Sequence, residues 1–140
     1  MRRSTFAGGA CAVAVAGLLP LFADAAASTL VVYHVGNYVT TDIALSPSEL
    51  LRFPGVRKRV VTSQAAIAAV RAAVAAAGAM SGSTGHDVDV RWGLVFTGGM
   101  GAPSKIFCDK WGKAAIVDGK PMTFAHPTLG RWLAAHYGPA

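Results

Sequence analysis

The chain has 140 residues, 53% of them hydrophobic and 14% charged, which gives room for one domain and excludes an intrinsically disordered chain. The 13 Lys and Arg outnumber the 7 Asp and Glu, for a net charge of +6. That balance favours an anionic partner or surface, although it also fits a cationic domain with no such ligand.

The first 25 residues have the organisation of an export signal. Residues 1–3 supply a positive start, residues 6–22 are an apolar run, and residues 23–25 (Ala-Asp-Ala) form a small-residue cleavage site. A cut as late as residue 27 fits equally well. We therefore expect a cleavable signal peptide and a periplasmic or secreted mature protein without a membrane span; a retained anchor is the alternative, for which the apolar run is short.

Cleavage changes the charge and the cysteine content. Arg2, Arg3 and Asp24 leave with the signal, so 13 cationic residues become 11 and 7 acidic residues become 6, a net charge of +5. Cys11 also leaves, and with Cys108 as the remaining cysteine no intramolecular disulfide can form. Arg2 and Arg3 are compatible with twin-arginine export. The residues that follow them match such a signal poorly, which favours the general secretory route.

Residues 28–138 are predicted to form a single compact domain. Its first half predicts strands over 30–35 and 56–62 and helices over 47–52 and 65–77, and residues 38–45 are a candidate for a further, shorter strand. Ser46, Pro47 and Glu49 form the pattern of a capping box, which starts the first helix. The second helix is Ala-rich and closes at Gly78 as its C-cap.

The second half begins with a connection over 79–86 that is rich in Gly, Ser and Thr. It is followed by strands over 88–96, 104–110, 114–117 and 121–124 and by a final helix over 127–137. Apolar residues on every second position from Val88 to Phe96 predict a strand with one buried and one wet face. Asp118 and Gly119 predict a two-residue hairpin turn.

Together these elements predict an α+β fold: a mainly antiparallel sheet of about five or six strands, packed by one long Ala-rich helix and a C-terminal helix. In the hairpin that follows residue 96 we expect Phe96 opposite Ile106 and Leu94 opposite Cys108. Ile106 and Cys108 then point inward.

Cys108 is the candidate thiol nucleophile, and the candidate partners are the four histidines His34, His86, His126 and His136. A thiol attacks well only when a base or a positive field lowers its pKa. The inward position favours a buried structural cysteine. Redox or intermolecular chemistry and a hydrolase nucleophile are the alternatives.

Other residues resemble functional sites less closely. His86, Asp87 and Asp89 are possible metal ligands, but strand alternation separates His86 from the two acids. The glycines of 98–101 resemble a phosphate loop, yet a strand follows them instead of a helix, which favours a hairpin turn. The acids offer no pair for carboxylate catalysis, because three of them fall at turns or a cap: Asp109, Asp118 and Glu49. We therefore predict no catalytic, metal or cofactor site.

Two surfaces are candidate partner-binding sites. The first is the basic cluster Arg57, Lys58 and Arg59, which is either a solvated edge strand or a surface for an acidic protein, a membrane surface or a glycan. The second is an outer-face patch of residue types common at binding hot spots: Arg91, Val95, Phe107 and Trp111. The alternative for this patch is that another segment, such as the terminal helix, covers it.

The sequence therefore favours an exported, non-enzymatic binding module of inhibitor, immunity or accessory type. Its expected partner is another protein or an anionic envelope surface, not nucleic acid, which an exported protein rarely meets. The alternatives are a small hydrolase using Cys108 with a histidine, and a cationic protein that binds anionic envelope polymers.

Overall fold

The computed structural model describes residues 29–36, 38–41, 43–82, 88–99 and 103–139. Some of the residues on which the sequence predictions rest lie outside these ranges: the signal peptide over 1–25, His86, Asp87 and Gly101.

The described residues form an antiparallel sheet and three helices. The elements are β1 (Thr29–His34), α1 (Pro47–Arg52), β2 (Arg57–Val61), α2 (Gln64–Ala77), β3 (Ala79–Ser81), β4 (Trp92–Thr97), β5 (Lys105–Cys108), β6 (Ala114–Val117), β7 (Lys120–Phe124) and α3 (Leu129–Tyr137). Over these ranges the sheet has 7 strands in the order β2-β1-β4-β5-β6-β7-β3. The α+β class and the antiparallel sheet are confirmed, whereas the prediction of five or six strands is wrong.

The strand count differs because β3 lies where a loop was predicted. Gly78 ends α2 in the left-handed conformation, with φ 69°, and turns the chain back along the sheet. Ala79, Met80 and Ser81 then pair with β7. Such a short edge strand depends on its distant neighbour, and its local sequence carries little strand signal.

Two other predicted strands are shorter than expected or missing. The described residues of 38–45 contain no strand, and β4 begins at Trp92 instead of residue 88. These two segments are hydrogen-bonded to each other instead. The backbone N–H of Val90 donates to the carbonyl of Leu45, and the N–H of Leu45 donates to the carboxylate of Asp89.

The β4–β5 register is shifted by two residues from the prediction. Leu94 lies opposite Ile106, and Trp92 lies opposite Cys108. Because side chains alternate with a period of two, this shift preserves the predicted faces of the paired β4 and β5 residues. Val90, which alternation places with Trp92, is an exception: it lies before β4 and packs with Phe107. Ile106 and Cys108 are buried as expected.

Both faces of the sheet are covered over part of their area, so the prediction of one wet face is wrong. The face that carries Trp92 and Leu94, here the first face, packs against α2 and α3. The opposite face, here the second face, packs against α1 and the segment before it through a smaller cluster: Val35, Leu45, Leu50, Val90 and Phe107. None of the helices in the described ranges has the length and hydropathy needed to cross a bilayer.

Candidate functional site

The structure distributes the four patch residues over different environments. Arg91 and Phe107 are buried, with 7% and 5% of their surface exposed. Trp111 is exposed in the β5–β6 turn, with the amine of Lys110 4.7 Å from its ring centre. The patch is therefore not one open surface; α1 and the segment before it, and not the terminal helix, pack on this part of the sheet.

Two of the four residues, Val95 and Phe107, line a groove on the second face with a volume of about 690 Å³. Its floor is mostly apolar and includes Tyr33 from β1 and Ile116 from β6. Strand pairing aligns these side chains, since Phe107 lies opposite Gly93 on one side and Ile116 on the other. The groove thus crosses four neighbouring strands.

Gly93 makes room for this floor. A Cβ atom at this position would lie 2.9 Å from the ring of Phe107 and 3.1 Å from the side chain of Leu50. Phe107 therefore lies over the backbone of β4, and α1 approaches the sheet closely at that point.

One wall of the groove is α1, which contributes Pro47, Ser48 and Leu51. The predicted capping box fixes the start of this helix: the Ser46 hydroxyl accepts from the N–H of Glu49, and the Glu49 carboxylate accepts from the N–H of Ser46. Leu50 is fully buried and anchors the helix, while Leu51 is 39% exposed. A rigid helix therefore presents an apolar side chain to the groove.

The opposite end of the groove is formed by Ser104 and Lys105 together with the β6–β7 turn. Asp118 (φ 48°) and Gly119 (φ 82°) both have positive φ, which confirms the predicted two-residue turn. The Asp118 carboxylate accepts hydrogen bonds from the backbone N–H groups of Ser104 (3.0 Å) and Lys105 (2.8 Å). Desolvation raises the pKa of Asp118, but hydrogen bonds from Lys105 and Ser104 outweigh it, so this pKa lies below its ordinary value.

Asp118 is therefore an anion that accepts its hydrogen bonds from Ser104 and Lys105 of its own chain. The exposed amine of Lys105 has no ion-pair partner in the part of the chain that the structure describes. This end of the groove consequently offers a cation beside an apolar floor.

The basic cluster lies next to the same groove. Arg57, Lys58 and Arg59 are exposed on β2, the edge strand that pairs with β1, so the predicted edge position is confirmed. Lys58 lies opposite Tyr33, and its amine is 6.0 Å from the centre of that ring. Tyr33 thus connects the groove to the cationic edge.

The chain matches no protein-family model. Searches of curated proteins and of solved structures give no match either.

Cys108 lies away from the groove, on the first face. It is a free cysteine with 1% of its surface exposed. Trp92 separates it from His34, because Trp92 lies opposite both residues and stacks on the His34 ring with centres 3.6 Å apart. Burial, and then the charge of Asp109, raise the pKa of the Cys108 thiol. This arrangement favours the structural interpretation over the nucleophile.

The buried thiol has two measurable consequences. Alkylation of Cys108 in the native protein should be at least about 100-fold slower than in the unfolded chain, because it requires local opening. The unfolded thiol loses its proton near its ordinary pKa of about 8.5, whereas the native thiol keeps it, so the free energy of unfolding should fall above that pH by up to about 1.4 kcal/mol per unit. Denaturant titration of wild type and Cys108→Ala measures this slope, and an equal slope in both would contradict the assignment.

The other two acids within the described ranges, Asp89 and Asp109, have structural partners. Asp89 binds Arg91 and the N–H of Leu45, and Asp109 accepts from the N–H groups of Trp111 and Lys113 in the β5–β6 turn. Within the described ranges, no three His, Cys, Asp or Glu side chains come together as a metal site.

The sequence predicts Val95 and Phe107 as binding residues but not the other residues that line the groove, among them Tyr33, Leu51, Lys105 and Ile116. Strand alternation predicts on which side of its own strand Tyr33 lies, and it does the same for Ile116. The position of α1 over the second face has no signal in the local sequence.

Proposed function

We propose that the protein is an exported, non-enzymatic binding module of inhibitor, immunity or accessory type, and that the groove receives an apolar side chain of a protein partner. The observation that carries this proposal is the open groove of about 690 Å³ on the second face. Concave, mostly apolar sites with a few polar groups at the rim are typical of binding sites.

The side chains of the groove support a protein ligand. Tyr33 and Leu51 offer aromatic and aliphatic surface above the buried floor residue Phe107, and one buried Leu-sized side chain contributes about 1.5–3 kcal/mol. Lys58 and Lys105 lie beside this surface, which matches the apolar centre and polar rim of protein interfaces. Because Leu50 and the capping box already hold α1 in place, little ordering is needed when the ligand binds.

The exposed cations of β2 support a second candidate function, binding to an anionic envelope polymer. Exposed charges are screened within about 8 Å at physiological ionic strength. Polymer binding should therefore disappear as salt is raised, whereas binding in the apolar groove should persist.

Two matched variants test the groove. Leu51 (39% exposed) lies in it, and Ile43 (69% exposed) does not. In cells that export the full chain, a photoreactive phenylalanine analogue at position 51 should crosslink to a partner that the same analogue at position 43 does not reach. We expect Leu51→Glu to weaken capture of that partner by about tenfold or more at high salt, since about 1.4 kcal/mol corresponds to a factor of ten.

Ile43→Glu adds the same charge outside the groove and should leave capture unchanged. Equal crosslinking from both positions, or capture that salt abolishes, would contradict the groove as the binding site.

A further inference from the structure

The outer edge of β2 is open in the described structure. β2 pairs with β1 on one side and is the first strand of the sheet order. In an antiparallel sheet, alternate residues of an edge strand direct their backbone N–H and C=O groups away from the sheet. β2 therefore presents a row of donors and acceptors to which an extended segment can bind.

The charges of β2 decide which segment fits. Arg57, Lys58 and Arg59 are consecutive and exposed, and none has a carboxylate partner among the described residues, where Asp89–Arg91 is the ion pair found. A second copy of β2 would place cations opposite cations, which is unfavourable. An acidic segment would place opposite charges across every such pair.

The side-chain directions add detail to this segment. Lys58 and Val60 point to the second face, opposite Tyr33 and Val31, while Arg57 and Arg59 point to the first face. Val60 is 57% exposed and follows the cations directly. An antiparallel partner strand would therefore read, from its N-terminus, one apolar residue followed by three acidic residues.

We propose that β2 docks an acidic, extended segment of the protein partner, which adds to the sheet as a further strand. This proposal rests on the proposed function, since it defines the chemistry of the partner whose apolar side chain enters the groove. Tyr33, which lines the groove and lies opposite Lys58, makes the two surfaces continuous.

The other edge strand provides an internal control. β3 has 3 residues, Ala79 to Ser81, and no charged side chain. A segment that is recognised by the cations of β2 should leave β3 unpaired, whereas one that adds to any free edge should pair with both.

The experiment uses a synthetic peptide in which a valine precedes three glutamates. The peptide is added to the protein as it is obtained after export. Hydrogen exchange should slow at alternate backbone amides of β2 and stay unchanged at β3. A second peptide with the same charges but N-methylated at alternate residues cannot form the ladder, and it should bind at least about tenfold more weakly. Equal binding of both peptides, or equal protection of β2 and β3, would overturn the proposal.

Charge-reversal variants separate recognition by β2 from general attraction. The test variant combines Arg57→Glu, Lys58→Glu and Arg59→Glu, and the matched control combines Lys113→Glu, Lys120→Glu and Arg131→Glu at exposed positions elsewhere. The test variant should lose at least about tenfold in peptide affinity, because three opposite-charge pairs become like-charge pairs. The control has the same net charge and should keep most of that affinity; an equal loss in both variants would overturn the proposal.

Leu51→Gln distinguishes this proposal from the proposed function, because it removes the apolar side chain from the groove without adding a charge that would repel the acidic peptide. The peptide is designed to pair with β2, so Leu51→Gln should leave peptide binding unchanged while it weakens capture of the whole partner. Normal peptide binding with no groove-dependent crosslink would support the edge and contradict the groove.

Discussion

Replacing Gly130 with alanine is expected to lower the free energy of unfolding by about 3 kcal/mol, because the added methyl group meets backbone and not a movable side chain. Gly130 lies in the first turn of α3, where the helix crosses the β5–β6 turn. A Cβ atom there would collide with the carbonyl oxygen of Lys110 and lie 2.6 Å from the carbonyl carbon of Trp111. Relief requires α3 to move, which would disturb the packing of Leu129 and Leu133 on the first face.

Gly55→Ala is the matched control for this substitution. The nearest atom to a Cβ at Gly55 belongs to the Phe53 ring, 3.7 Å away, which is an ordinary contact. We expect its effect on the free energy of unfolding to stay within about 0.5 kcal/mol. Denaturant unfolding measures both variants. Alanine is the better helix former by up to about 1 kcal/mol, so a stabilised Gly130→Ala protein would show that α3 does not lie as close to the turn as described.

Local signals predicted the parts of this fold that depend on neighbours in sequence. The capping box at Ser46, the C-cap at Gly78 and the turn at Asp118 all formed as expected, because each depends on residues within a few positions. The face assignment of Ile106 and Cys108 survived a register shift of two for the same reason: alternation is a local property of the strand.

The candidate site could be predicted only in part, because long-range packing forms it. Strand alternation placed Val95 and Phe107 on one face, but α1 then buried Phe107 against Leu50. That approach requires the missing side chain of Gly93, and a glycine within a strand is equally typical of a bulge or a tight bend. Pairing of β3 with β7 likewise depends on residues more than forty positions apart.

The environment of Arg91 also depends on packing between residues that are distant in sequence. Its alternation with Val90 and Trp92 predicted an outward, solvated side chain, and the segment containing Val39 and Thr41 covers it instead. The guanidinium donates to the Asp89 carboxylate at 2.9 and 3.0 Å and to the carbonyl of Val39 at 2.7 Å. Asp89 in turn accepts from the N–H of Leu45 at 3.0 Å, one residue before the N-cap of α1.

Arg91→Ala should therefore lower the free energy of unfolding by about 3 kcal/mol, since it leaves the Val39 carbonyl without its donor and Asp89 without its counter-charge. Removing one partner of a buried ion pair typically costs about 3–5 kcal/mol. Because Asp89 is 42% exposed, water can restore part of its solvation, so we expect the lower end of that range. Arg52→Ala is the control, because Arg52 is exposed and, among the described residues, donates only to the carbonyl of Ser48 in its own helix, at 3.3 Å. We expect it to change the free energy of unfolding by no more than about 0.5 kcal/mol.

The effect of Arg91→Ala should also reach the groove, which Arg91 does not line. Loss of the Asp89–Arg91 pair releases the segment that leads into α1, and α1 forms one wall of the groove. Amide exchange at Leu45 and Leu50 should speed up in the native state, while exchange in α2 changes only with global stability. If α1 is mobile, a smaller fraction of the molecules has a groove that can bind the partner. Capture of the partner should therefore weaken in the same variant in which exchange at Leu45 and Leu50 speeds up. Unchanged exchange at both leucines would show that the buried pair stabilises the fold without positioning α1.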